Sequence, residues 1–292
     1  MTKKKDVTRK AGATITEKAL IVQLRVSMWS GQKIDKKIGA EVAELHSVKV
    51  EPGRYNKFLV HPDFLKEFRA IKEEVRKYHT LNTLPWEDGG YRLLPSANYF
   101  QYLEVLTEIQ GRAEAVADKV AAQFEGAKRE WASQLNGLYD ENDYPSTSDI
   151  RGKFGVRIEF SPVPDKGDFR VDLSKKELAR IQASTEQAVS ERLAEALKDP
   201  YRRIAEALTH LIATVKKEKP VIRESLVGNL VDLVTLIPKL NIFDDPDLEA
   251  VRKQVEEKLT KIDRDTLADD PKTRNQVAKD AEAILKKLKG VI

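Results

Sequence analysis

The chain has 292 residues, with 51 Lys and Arg against 47 Asp and Glu, no Cys, 41% hydrophobic and 34% charged residues. That length suffices for one large domain or two ordinary ones. So high a charged share, with only 14 Gly and 12 Pro, favours long exposed helices over low-complexity chain. The absence of cysteine excludes disulfides, iron–sulfur clusters, thiolate zinc sites and cysteine nucleophiles. No apolar run approaches the roughly 20 residues of a membrane span, and MTKKKDVTRK has no apolar stretch behind its charges, so neither a membrane contact nor a secretory signal is expected. A cytoplasmic location is the expectation. The formal charge of +4 sits in one place: Lys3, Lys4, Lys5, Arg9 and Lys10 against Asp6 account for all of it. The basic balance therefore describes a tail, and the remaining chain is formally neutral.

Residues 1–13 are read as a basic flexible tail and 14–96 as an N-terminal α/β segment. Leu20, Val22, Leu24, Val26 and Met28 alternate with Gln23, Arg25 and Ser27, the pattern of a half-buried strand. Ser30-Gly31 turns the chain. Ile34, Ile38, Val42 and Leu45 have helical spacing and predict a short amphipathic helix, which Pro52-Gly53 closes. Phe64, Leu65, Phe68, Ile71, Val75 and Tyr78 predict a second helix behind His61-Pro62. Leu84 to Gly90 reads as a loop, with Trp86 and Tyr91 as anchors.

Residues 97–216 are expected to form a long helical hairpin. No proline interrupts Ala97 to Tyr139, and Ile109, Ala113, Val116, Val120, Phe124, Ala127, Trp131, Leu135 and Leu138 recur with an eleven-residue period. Such a period gives a nearly straight seam, on a helix of about 43 residues and about 65 Å. Two alternating runs flanking Ser161-Pro162-Val163-Pro164 predict a β-hairpin tip over 156–173, with the Leu20–Met28 strand as its support. Ser174 and Glu177 form a capping box, so Ser174 is the expected N-cap of the return helix. Asp199-Pro200 either restarts or kinks it. Residues 217–292 hold shorter helices, one ended by Pro238, others begun at Asp244-Asp245-Pro246 and Pro271. The expected fold class is mainly α: a long antiparallel, coiled-coil-like helical hairpin with a small β-hairpin or sheet insertion and additional shorter helices.

No catalytic, cofactor or metal site is legible. Arg151-Gly152-Lys153-Phe154 lacks the upstream glycine and following Ser/Thr of a phosphate loop, and H-E-x-x-H, G-x-S-x-G and G-x-G-x-x-G do not occur. Ser30-Gly31-Gln32-Lys33 matches S-x-x-K without its companion motifs. His46, His61, His79 and His210 stand apart as helix-end or surface residues. Asp140, Glu141 and Asp143 form an acidic turn without a cage for a cation. Candidate nucleic-acid contacts are Lys3, Lys4, Lys5, Arg9 and Lys10 of the tail together with Trp29, Lys33, Lys36 and Lys37, where an aromatic ring lies among cations. Candidate partner or oligomer contacts are Phe124 and Trp131 on the seam and Phe154, Pro162 and Pro164 at the tip.

The order of a strand ending in Trp29-Ser30-Gly31, a Leu84-Pro85-Trp86…Leu94-Pro95 segment, a long helix, Tyr144-Pro145 and Phe160-Ser161-Pro162-Val163-Pro164 resembles an uncharacterised bacterial family, a domain of unknown function found in phages and conjugative elements. The resemblance covers residues 15–215. Members are often encoded near a MoxR-type AAA+ ATPase and a von Willebrand A-domain protein, or near recombination genes. It implies a mobile-element origin, a bacterial host cell and an AAA+ ATPase as partner. From the missing active-site motifs and the extended helical hairpin, the function expected is a non-enzymatic helical scaffold or adaptor, without cofactor, that self-associates as a homo-oligomer or binds a protein partner. The alternative is a nucleic-acid-binding accessory in phage or plasmid replication or recombination.

Overall fold

The computed structural model of the chain describes residues 15–49, 53–165, 167–169 and 171–291. The expected basic tail lies outside them. Among the described residues the chain is mainly α-helical with a small antiparallel sheet, as its charge content and helical periodicities predict. The helices are α1 (Lys36–Leu45), α2 (Lys66–Asn82), α3 (Tyr99–Leu135), the short α4 (Thr147–Ile150), α5 (Lys175–Val215), α6 (Glu224–Leu240), α7 (Pro246–Leu259), α8 (Arg264–Asp269) and α9 (Pro271–Leu288). The strands are β1 (Ala19–Ser27), β2 (Gln32–Ile34), β3 (Asn56–Phe58), β4 (Leu84–Glu87), β5 (Tyr91–Pro95) and β6 (Gly155–Pro162). Four of them form a sheet of order β4-β5-β1-β6, and β2 and β3 form a separate two-stranded ribbon.

Short polar side chains start the helices, accepting bonds from the free N–H groups of the first turn. Asp35 accepts from the backbone N–H of Lys37 and Ile38. Ser174 caps α5 through Glu177 N–H, as its capping-box spacing predicts. Asp245, Asp263 and Asp270 cap α7, α8 and α9. α5 runs through Pro200 as one helix. Pro238 likewise lies within α6 and does not end it.

Two β expectations need correction. The Leu84–Gly90 loop is a hairpin, β4 paired with β5, turning on Gly89 and Gly90 at φ +87° and +89°, where glycine avoids the strain a side chain would bring. The tip at 156–173 is not a hairpin: β6 neighbours β1, and the described residues from Gly167 to Leu173 form no strand. Pro162 and Pro164 lack the N–H groups with which a return strand would bond. The expected support of β6 by the Leu20–Met28 strand is therefore its actual pairing.

The chain divides into two compact units, drawn from Met1–Gln23, Thr80–Tyr102 and Glu159–Ile292, and from Leu24–His79 and Leu103–Ile158. In the first, the C-terminal half of α5 buries Tyr201, Ile204, Leu208, Leu211 and Val215 among Leu226, Leu230 and Val234 of α6, Val255 of α7, and Ala281 and Ile284 of α9. Its N-terminal half buries Val189, Leu193 and Ala196 with Ile21, Leu84, Trp86 and Leu93 of the sheet. Arg203 is held by Asp199 at 2.6 Å and donates to the carbonyls of Leu81, Thr80 and Thr83 at 2.5, 3.0 and 2.7 Å. In the second unit α2 and α3 run antiparallel, tied by Lys119 to Glu67 at 2.6 Å and by Arg112 to Glu74. Here α3 buries Leu106, Ile109, Ala113, Ala117, Val120, Phe124 and Lys128. The eleven-residue period is present, displaced by one residue at Ala117 and at Lys128 from the positions expected.

Candidate partner-docking site

The second unit carries an excursion between Gly31 and Leu59: β2, then α1, then β3. Gly31 opens it at φ +68°, and a Cβ there would stand 2.9 Å from Leu65 Cδ1 and 3.2 Å from Val60 Cγ2. Both the backbone angle and the space require glycine. Leu59 N–H donates to Gly31 O at 2.8 Å and Asp35 N–H to Tyr55 O at 2.9 Å, closing the ribbon at both ends. Lys33 stands opposite Lys57, and Gln32 opposite Phe58. Because side chains alternate across a strand, the two lysines share one face while Ile34 and Phe58 share the other.

Two like charges directly across a ribbon repel, and the 137–143 loop supplies the compensation. Lys57 is 4% exposed. Its ammonium donates to Leu138 O at 2.7 Å and pairs with Asp143 Oδ2 at 2.6 Å and Asp35 Oδ2 at 3.1 Å. Lys33 takes the other oxygen of Asp143 at 2.5 Å. The hydrogen bond from Lys57 is the main reason the Asp35 carboxyl sits below its ordinary value. Burial pushes Asp143 up, but the bonds from Lys33 and Lys57 outweigh it and hold the carboxyl low. Burial likewise opposes the Lys57 charge, and its two carboxylate partners overcome that and raise it. The cluster therefore stays charged and paired.

A second ionic group adjoins in sequence. Lys128, on the buried stripe of α3, pairs with Glu141, which also accepts from the Tyr139 hydroxyl. The Lys128 ammonium lies 5.3 Å from the centre of the Tyr144 ring. The Tyr144 hydroxyl is buried without a hydrogen-bond partner. A cleft of about 610 Å³ is lined by Ile34, Ile38 and Glu41 on the excursion, by Lys57, and by Leu138 and Tyr139 on the loop.

The outer surface of the excursion contrasts with this paired interior. α1 contains no buried residue. Leu45 is 78% exposed, and Ile34, Val42, Val48, Tyr55 and Phe58 are exposed as well. Lys36 and Lys37, at the start of α1, are exposed too.

The sequence-predicted site residues fare unequally. Lys3, Lys4, Lys5, Arg9 and Lys10 lie outside the described residues. Trp29 is half-buried and packs edge-on against Phe124 at 5.5 Å, and Lys33 is neutralised by Asp143, so the ring and one cation of the expected stacking set are already engaged. Phe124 is fully buried, and Phe154 is 4% exposed against Phe68 at 4.9 Å. Neither can meet a partner, because each fills the interior of its own unit. Trp131 is half-buried, donating from Nε1 to Phe58 O at 2.8 Å, with the His61 ring 5.4 Å away. Pro162 is exposed and Pro164 half-buried. Sequence inspection missed Lys57, Asp143 and Lys128 as organising residues. Lys128 carried no signal, because the stripe was expected to pass one residue earlier, at Ala127.

The Lys57 ammonium has three acceptors around it, and no group of His, Cys, Asp or Glu among the described residues is placed to hold a metal ion. No helix among them is long and apolar enough to cross a membrane. No family model, curated protein or solved structure matches the chain.

Proposed function

We propose that the chain is a non-enzymatic adaptor that takes a protein partner on the exposed apolar face of α1 and the β2–β3 ribbon. The observation that carries this reading is α1 itself. It presents Ile38, Val42 and Leu45 at helical spacing yet buries none of its residues, whereas a helix of a globular protein normally turns such a stripe into a core. Several exposed large apolar side chains on one short excursion point to an interaction site. The occupant we infer is an amphipathic segment of another protein, its apolar side on Val42 and Leu45 and its carboxylates against Lys36 and Lys37. The sequence resemblance supplies the first partner to try, a MoxR-type AAA+ ATPase from a phage or conjugative element.

The test is light scattering of the full chain alone and mixed with the purified ATPase, in parallel with Val42→Asp/Leu45→Asp. The adaptor reading expects a complex that the double variant loses while its melting temperature stays unchanged. A complex that survives both substitutions removes α1 as the docking face. Salt-sensitive retention of DNA by a chain that binds no protein would favour the nucleic-acid alternative.

A further inference from the structure

We propose that β2, α1 and β3 form an arm that opens as a unit, and that Lys57 is the latch that holds it closed. Among the described residues from Gln32 to Phe58, Lys57 is the only buried one. Apolar burial begins only at the base, with Leu59 and Val60 at 1% exposure. Beyond that base, hydrogen bonds and ion pairs tie the excursion to the rest of the unit. Lys57 reaches Leu138 O and Asp143, Lys33 reaches Asp143, and the Phe58 carbonyl accepts from Trp131. Lys57 also binds Asp35, the N-cap of α1, so one ammonium joins the start of the helix to the 137–143 loop. The cleft lined by Ile34, Ile38, Leu138 and Tyr139 lies where opening would widen it.

Segments with few buried apolar contacts are the ones that open locally without global unfolding. Removing one partner of a buried charge cluster is costly because the other charges stay behind uncompensated. Together these make Lys57 the point at which the closed arm is held. The proposal rests on the docking reading only for its use, since opening would move the α1 face. The latch itself is tested with no partner present, so failure of either leaves the other standing.

The experiment is hydrogen exchange by mass spectrometry on the full chain, comparing wild type with Lys57→Met and Asp35→Asn. Asn is as good an N-cap as Asp, so the second substitution removes the ion pair and keeps the helix start. Lys57→Met is expected to speed exchange of the Lys36–Leu45 amides at least about tenfold, with the amides between Leu106 and Phe124 of α3 unchanged. Asp35→Asn is expected to speed the same α1 amides by a smaller factor. Unchanged α1 exchange in Lys57→Met overturns the latch, and so does equal acceleration in α3, which would make Lys57 part of the global fold. If Lys57→Met does not fold, Asp35→Asn decides: acceleration confined to α1 supports the latch, and none overturns it.

Discussion

α6 and α1 carry the same local signal and meet opposite fates. In α6, Leu226, Leu230, Val234 and Ile237 repeat at helical spacing and all are buried. In α1, Ile38, Val42 and Leu45 repeat at the same spacing and none is buried. The difference lies in what flanks them. α6 is met by apolar stripes on α5 and α7. α1 is bounded by two strands of three residues each, which offer no such stripe. Amphipathic spacing specifies a face, and a second face must come within reach before it becomes a core.

The largest expected effects would break this comparison outright. Leu230→Ala should destabilise by about 2–5 kcal/mol and Phe124→Ala by about 3–5 kcal/mol, because both side chains are buried without room to relax to water. Leu45→Ala should stay within about 0.5 kcal/mol, as exposed substitutions do. Denaturant titration of the three variants ranks them. A Leu45→Ala cost equal to that of Leu230→Ala would show that α1 is packed after all.

Gly31→Ala tests the base of the arm. The added methyl meets Leu65 Cδ1 at 2.9 Å on a backbone at φ +68°, so a loss of about 1–3 kcal/mol is expected. Gly53→Ala, where nothing lies within 4 Å of the new Cβ, is the control and should melt like wild type. Equal melting of the two would mean that the arm's entry is not sterically set.

Much of the fold was legible, and the illegible parts share a cause. The strand at Leu20–Met28, the Ser174 cap and both long helices follow from contiguous residues whose spacing carries the information. The β4–β5 hairpin did not, because Leu84-Pro85-Trp86 does not alternate and Pro85 reads as a breaker. β4 is an edge strand, where a missing N–H is tolerated. The partner of β6 is equally non-local. Lys57 was invisible because its meaning lies 81 residues away at Leu138 O, and nothing in Asn56-Lys57-Phe58 marks it. The acidic turn at Asp140–Asp143 is legible as a turn, but its lysine partners come from other stretches of chain.

The pH dependence of stability sharpens the contrast between the paired interior and the bare outer face. Asp35 and Asp143 lie below their ordinary values in the folded chain. Each therefore adds stability above the unfolded aspartate value of about 3.9, and loses it as pH falls through the lower folded value. Lys57 is raised, so its contribution is complete below the ordinary lysine value of about 10.4 and is lost as pH rises through the folded value. The cluster should contribute evenly between these limits and fade at both ends. Asp143→Asn should flatten part of the acid limb in denaturant titrations between about pH 2 and 5. An acid limb unchanged by that substitution would place the sensitivity elsewhere.

The smallest expected effect concerns the hydroxyl that the ionic groups leave out. Tyr144 Oη is buried with no partner. Burial, then the nearby Tyr139, Asp143 and Glu141, push the phenol up to about 12, so it remains neutral at ordinary pH. A buried polar atom without a hydrogen bond costs free energy, and removing it should not destabilise. The ring keeps its contacts in Tyr144→Phe, 6.5 Å from the centre of Phe124 and 5.3 Å from the Lys128 ammonium. Stability should therefore be unchanged or rise by up to about 1 kcal/mol. A loss of more than about 1 kcal/mol in a denaturant titration would mean that the hydroxyl is bonded when the arm is closed. Repeating the substitution in Lys57→Met then discriminates further. If the loss disappears in that background, the missing bond belongs to the latched state; if it persists, it belongs to the core around Phe124.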